Sequence, residues 1–374
     1  MTQPLVIDAD GHILEPPDLW ERYLEPKFKD RAMRIGKDER GLEYLEIDRK
    51  HSKLITGGTL GILGGAYQDC ADLSVPGKYT YWEIAQRTPG GIDPHARIRE
   101  MDEQGIDVAV LYGTISLAWE EECTDPELSA AYCRAYNNYA FDYCSAHPDR
   151  LIPIAQVSLR DVELAVQEVK RVKGKAKGLF YTPFPVTGRS VGDRYYDPFW
   201  AAAEEAELPV AVHVQVFKSF HGHTLHESRA IWLYMMQLPG ETQLSLNCMF
   251  QDGVLERFPK LKYVVLEIGC GWLPHWMERG EEKFKTFGFG SPQMSKNPGE
   301  LFRERCWIST EVDETTIAAV LEKIGARRIL WATDSPHIDA APNPLPELRE
   351  HIAQLSEQDQ EWILGKAAAE LYRL

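Results

Sequence analysis

The chain has 374 residues, 44% hydrophobic and 26% charged, enough apolar material for at least one large core, which excludes a disordered tail or a disulfide mini-scaffold. Its 41 Lys and Arg against 57 Asp and Glu leave a net charge of −16, a field that repels nucleic-acid phosphates and anionic lipid heads. No apolar run approaches the roughly 20 residues that span a bilayer and no signal core follows the N-terminus, so a cytoplasmic protein is expected, with neither nucleic acid nor membrane as partner.

Short β-rich apolar runs alternate with amphipathic segments along the chain. The candidate strands are residues 5–10, 107–112, 151–157, 178–181, 209–214, 262–268, 306–311 and 328–334, and helical patterns fall at 95–105, 129–147, 162–173, 197–207 and 314–325. Continuous apolar strands separated by helices indicate a parallel sheet covered by helices. Eight of them suit closure into a (β/α)8 TIM barrel, an α/β fold making one domain over residues 1–374. Gly105 and Gly325 read as helix stops, and Pro148 and Pro209 stand just before strands. Residues 25–94 break the rhythm, polar at first and then glycine-rich in GGTLGILGGA (57–66). An insertion this long after a first strand is expected to cap the barrel mouth, the alternative being a disordered or oligomer-forming segment.

In a barrel, functional side chains gather where the strands end, because the loops at that face share one mouth. The first strand ends in Asp8-Ala9-Asp10-Gly11-His12, so Asp10 and His12, two apart in extended backbone, project to one side and can grip one ion. Such groups also serve as caps or turn residues. The fifth candidate strand leads to His213, and an isolated His on an apolar strand is more often a satisfied core group than a ligand. The eighth runs into Asp334-Ser335-Pro336-His337, where Asp334 is either a ligand or the opening of a turn. In concurrence, Asp10, His12, His213 and Asp334 make a mixed nitrogen and oxygen set drawn from three strand ends, which favours a metal centre over coincidence. Two imidazoles plus carboxylates suit one Zn²⁺ or Mn²⁺, with Fe²⁺ also compatible.

Other groups are expected nearby. Glu267 ends the sixth candidate strand and faces the same mouth as an acid/base, a ligand or an orienter of a ligand histidine. His221, His223 and His226 follow His213 as solvated loop residues or as groups that touch substrate and move protons. Trp272 could form a flat wall for an aromatic substrate, and Arg279 could pair with a substrate carboxylate; core packing and a neighbouring Glu are the bland alternatives. The seven cysteines are scattered without a C-x-x-C, against both a disulfide framework and a thiolate zinc site. No phosphate-binding glycine loop, dinucleotide fingerprint or G-x-S-x-G elbow is present, which removes nucleotide-driven and serine-nucleophile mechanisms.

The segments DADGHILEPPDLW (8–20), ARIREMDEQGIDVAVLY (96–112), YDPFWAAAEEAELPVAVH (196–213), GVLERFPKLKYVVLEIGCGWLPHWMER (253–279) and RILWATDSPH (328–337), in this order and spacing, resemble the amidohydrolase-related enzymes. The likeness covers nearly the whole chain and is to the branch of aminocarboxymuconate-semialdehyde decarboxylase and related aromatic-acid decarboxylases. It implies a (β/α)8 barrel whose metal is held by an H-x-H or E-x-H motif on the first strand, a fifth-strand His and an eighth-strand Asp. Asp10, His12, His213 and Asp334 match those positions, with Asp10 a departure that keeps an oxygen ligand. Glu267 stands where many relatives carry an acid/base His. The resemblance also implies a homo-oligomer, a dimer or tetramer.

The expected activity is nonoxidative decarboxylation of an aromatic or unsaturated carboxylic acid at one divalent cation, with Glu267 or a histidine of the 221–226 loop moving the proton. The alternatives are metal-dependent hydrolysis of an amide, lactone or related bond with Asp334 as the base, and a ligand-binding barrel without turnover.

Overall fold

The computed structural model describes residues 4–54, 57–183, 186–215, 233–290 and 293–374. In chain order its strands are β1 (Ile7–Ile13), β2 (Arg34–Lys37), β3 (Glu43–Ile47), β4 (Lys50–His51), β5 (Val108–Gly113), β6 (Leu151–Gln156), β7 (Gly178–Tyr181), β8 (Val210–Val212), β9 (Tyr263–Val265), β10 (Cys306–Thr310) and β11 (Ile329–Trp331). Eight of them form one sheet in the order β1-β5-β6-β7-β8-β9-β10-β11, every neighbouring pair parallel. Each overlaps a strand expected from the sequence. The reason is burial on both faces: β5, β7, β8 and β9 carry no exposed residue, so their sequences read as unbroken apolar runs.

Helices lie between successive strands, as in a TIM barrel. Their starts follow local chemistry. Asp93, Asp125 and Asp161 each accept a backbone N–H of the first turn, and Pro94 and Pro126 occupy first helical positions where no N–H is needed. The helix Pro94–Gln104 stops at Gly105, whose φ of +76° suits glycine.

The sheet closes without a ladder between β1 and β11 among the described residues. The two are joined instead by single contacts: Asp334 N–H donates to the Asp10 carbonyl at 3.0 Å and His12 N–H to the Ser335 carbonyl at 2.8 Å. Strand β1 is also irregular, its register against β5 shifting between Asp8 and Gly11. An extra residue there re-aims the side chains that follow.

The inserted region after β1 holds a small antiparallel sheet, β2-β3-β4, followed by short helical turns. Its later part is tied to the barrel end: Leu14 N–H donates to the Gly91 carbonyl at 2.8 Å, and Ala66 N–H to the Pro336 carbonyl at 3.0 Å. Gly64 and Gly91 allow this approach, since a Cβ on either would lie 2.8 Å from a Leu14 side-chain carbon. Among the described residues no helix is long and apolar enough to cross a membrane.

Candidate metal centre

The expected ligands come from strand ends. Asp10 and His12 lie within β1, His213 directly follows β8, Glu267 follows β9 by two residues, and Asp334 follows β11 by three. Glu267 and Asp334 have φ of +56° and +53°, left-handed backbone that turns the chain just past each strand. Side chains other than glycine hold that conformation at a cost, a pattern common at functional sites.

The side chains converge. His213 Nε2 is 3.3 Å from Asp10 Oδ1 and 3.2 Å from Glu267 Oε2. His12 Nε2 is 3.6 Å from Asp10 Oδ1 and 3.1 Å from Asp334 Oδ1. One ligand atom from each of Asp10, His12, His213 and Glu267 falls within 4.8 Å of the others, and the same holds for His12, Asp334 and His337. The rings of Tyr112 and Phe180 pack against His213, with centroids at 5.1 and 6.1 Å, so the cluster rests on an aromatic floor.

Proton placement decides whether this arrangement suits a cation. His12 Nδ1 lies 2.9 Å from the Gly113 carbonyl and His213 Nδ1 2.9 Å from the Val214 carbonyl, so both Nδ1 atoms carry protons and donate them. His12 Nε2 is left pointing a lone pair at carboxylate oxygens. Burial, with His337 and His213 adding to it, holds the His12 pKa well below the usual histidine range, so this ring is neutral. At His213 burial opposes protonation, yet the Asp10 and Glu267 carboxylates outweigh it and set the pKa at about 9. Asp10 Oδ2, Glu267 Oε2 and Asp334 Oδ2 are buried without a hydrogen-bond partner. The His12 lone pair and these oxygens face one another across little more than 3 Å, which is repulsive unless positive charge lies between them, and at His213 a proton on Nε2 stands between Asp10 and Glu267 in the place a cation would take. These residues therefore fit a divalent cation.

His337, three residues beyond Asp334, belongs to the same cluster although the sequence assigned it no role. Its Nδ1 is 2.8 Å from Asp334 Oδ1, its Nε2 is 3.0 Å from the Thr114 hydroxyl, and its ring stacks on His12 at 3.9 Å. Burial pushes its pKa down to about 4, so the ring stays neutral; Asp334 Oδ1, although close to Nδ1, is like Oδ2 buried without a hydrogen-bond partner. The signal was D-x-x-H beside a proline, a spacing that a turn folds back on itself.

Behind the ligands, Asp8 and Arg97 clamp the seam. Asp8 accepts from Thr333 N–H at 3.0 Å and from its hydroxyl at 2.7 Å. Arg97 donates to the carbonyls of His12 and Ser335 at 3.3 and 3.2 Å. The two side chains thus hold β1 and the end of β11 in one register.

A cavity opens beside Glu267 and His337, walled by Ile62, Leu63, Leu117, Leu238 and Ile338. A second cavity adjoins it and shares Glu267, Tyr234 and Asp339. Trp272 and Arg279 are not brought to either. They line a separate groove with Phe250 and Trp276, and Arg279, 61% exposed, lies 3.5 Å from Glu282. Their closeness to Glu267 in sequence does not carry over: the helix Leu273–Phe287 starts between them, and both side chains line this groove instead. His221, His223 and His226 lie outside the described residues.

The amidohydrolase sequence profile matches residues 7–374. The chain belongs to this amidohydrolase family. It is 27% identical over 287 residues to the gamma-resorcylate decarboxylase of Rhizobium radiobacter, covering 72% of this chain and 83% of that protein. An amidohydrolase of Mycobacterium avium subsp. paratuberculosis K-10 superposes with a TM-score of 0.79 at 27% identity, all of both chains being covered. The manganese-bound 5-carboxyvanillate decarboxylase of Novosphingobium aromaticivorans shares the fold, with a TM-score of 0.70 at 18% identity over 99% of this chain and 96% of that one.

Proposed function

We propose that this amidohydrolase-family protein is a metal-dependent carboxy-lyase that removes carbon dioxide from an aromatic or unsaturated carboxylic acid without oxidation. The observation that carries the reading is the meeting of two imidazole Nε2 atoms with the carboxyl groups of Asp10, Glu267 and Asp334 at the barrel mouth, beside an apolar cavity. The resemblance to a resorcylate decarboxylase favours loss of carbon dioxide over hydrolysis.

Asp10, His12, His213 and Asp334 hold the cation, with zinc and manganese the candidates for this donor set. When bound, a divalent cation supplies Lewis-acid stabilisation of the negative charge on a carboxylate substrate. The chain's own residues do the rest. Ile62, Leu63 and Leu117 exclude water from one face of the substrate, and the inserted region, residues 25–94, acts as the cap that brings the first two into place. As the bond from ring to carboxylate breaks, its electron pair stays on carbon, which needs a proton. Glu267, which lines the cavity and whose buried Oε2 has no hydrogen-bond partner, delivers that proton from its carboxyl group. His337 orients Asp334 through the 2.8 Å contact and leaves its other nitrogen to Thr114.

The test is elemental analysis of the purified protein together with carbon dioxide release from hydroxylated benzoates, before and after chelation. Stoichiometric metal and chelator-sensitive carbon dioxide release are expected. Metal with water incorporated into product and no carbon dioxide would overturn the lyase reading in favour of hydrolysis. A protein without metal would leave a binding barrel.

A further inference from the structure

Resting on that reading and extending it, we infer that Gln215 selects the substrate: its side-chain N–H donates to a neutral oxygen substituent on the ring of a monocarboxylate, while the cavity rejects a second carboxylate. Gln215 stands two residues past His213 in the exit from β8 and is 3% exposed. Its Nε2 is buried without a hydrogen-bond partner, and the side chain lines the cavity that Glu267 and His337 also line. The Thr114 hydroxyl on the same wall is engaged with His337, and Ile62, Leu63, Leu117, Leu238 and Ile338 are hydrocarbon. Among the described residues of this wall, Gln215 is the one buried side-chain donor without a partner. A buried amide facing hydrocarbon is unfavourable unless an acceptor meets it, so the position makes sense when a ligand oxygen arrives.

The charge of the walls narrows the ligand further. Glu267 and Asp339 line this cavity, and Glu311 and Glu314 join them in the adjoining one. Neither cavity has a Lys or Arg among its described lining residues. One substrate carboxylate can go to the cation. A second would face the Asp339 and Glu314 carboxylates in a poorly screened space, which is repulsion built against the wrong ligand. A hydroxyl or alkoxy oxygen meets the Gln215 N–H without that penalty, and a hydroxyl can also donate to a wall carboxylate.

The experiment titrates the metal-loaded wild-type protein, Gln215→Leu and Gln215→Glu by calorimetry with benzoate, the three monohydroxybenzoates, vanillate and 5-carboxyvanillate, while carbon dioxide release is followed in parallel. The wild type should bind at least one hydroxybenzoate about tenfold more tightly than benzoate, the value of one neutral hydrogen bond. Gln215→Leu should erase that preference and leave benzoate within about twofold, and Gln215→Glu should weaken every carboxylate. Vanillate should bind at least about tenfold more tightly than 5-carboxyvanillate. A preference that survives in Gln215→Leu, an equal loss for benzoate and hydroxybenzoates, tighter binding of the dicarboxylate, or no binding of any benzoate to the wild type would each overturn the inference. Carbon dioxide release with discrimination independent of Gln215 would sink this inference and spare the reaction. Discrimination that depends on Gln215 without carbon dioxide release would do the reverse.

Discussion

The Asp8 carboxylate and the Arg97 guanidinium face each other at 3.8 Å within the seam between β1 and β11, 1% and 4% exposed. Asp8 reaches across to Thr333, and Arg97 holds the carbonyls of His12 and Ser335, so one buried pair sets the spacing of the two chain segments that carry Asp10, His12, Asp334 and His337. Removing one partner strands the other charge in a dry interior. Arg97→Ala should therefore cost about 3 kcal/mol in urea unfolding, the usual consequence of breaking a buried pair. It should also lower the metal content found by elemental analysis. Arg97→Lys, which keeps the charge and loses the fork, should restore stability more than it restores metal. Full metal loading in Arg97→Ala would show that the clamp does not position the ligands.

The strands were legible because a parallel barrel buries both faces of each, and nothing but an apolar run satisfies that. Their ends were less so. The runs 209–214, 262–268 and 328–334 were expected to stay extended through His213, Glu267 and Asp334, whereas the ladder stops at Val212, Val265 and Trp331. These three residues stand beyond the hydrogen-bonded strand, and Glu267 and Asp334 are themselves left-handed, a backbone choice that Glu and Asp do not announce. The β2-β3-β4 meander escaped notice because residues such as Arg34, Glu43 and Glu46 are half-exposed, so no apolar run marks it. Asp10, His12, His213 and Asp334 were legible as a set because each sits where a strand was expected to end. His337 was not, since its place depends on the Ser335-Pro336 turn bringing it back to Asp334.

His213 tests the cluster directly. The ring makes a single backbone hydrogen bond, to Val214, and its Nε2 is given over to Asp10 and Glu267. His213→Ala should leave the far-ultraviolet circular dichroism unchanged and weaken cation affinity by more than about 100-fold, the upper end for losses in the outer shell of a metal site. A variant that unfolds yet keeps its metal would make His213 a packing residue.

The cap reading predicts a steric effect at Ile62, which lines the cavity from the inserted region. Ile62→Trp adds bulk on the substrate side without touching a ligand. KM for a hydroxybenzoate should rise about tenfold while metal content stays the same, because an overfilled site loses ligand affinity before it loses the fold. Unchanged steady-state kinetics would place the substrate away from this wall.

Glu120 predicts a pH dependence that the metal centre does not share. It is 1% exposed, its Oε1 accepts from the Ser158 hydroxyl at 2.6 Å, and its Oε2 has no hydrogen-bond partner. Burial, opposed by that hydrogen bond and by Arg160, raises its pKa from the ordinary 4.5 to about 7. The folded state then keeps a proton that the unfolded chain releases, so the contribution to stability is full below pH 4.5 and is lost as the pH rises to about 7. At about 1.4 kcal/mol per pH unit, the loss between pH 5 and pH 8 is about 3 kcal/mol. Glu120→Gln has nothing to titrate. Urea unfolding of both proteins at the two pH values should show the variant gaining about 3 kcal/mol on the wild type at the higher pH, with groups common to both cancelling in the difference. A constant difference between pH 5 and pH 8 would mean that Glu120 ionises freely in the folded protein, which a carboxyl group with one hydroxyl for company in a dry interior has no means of doing.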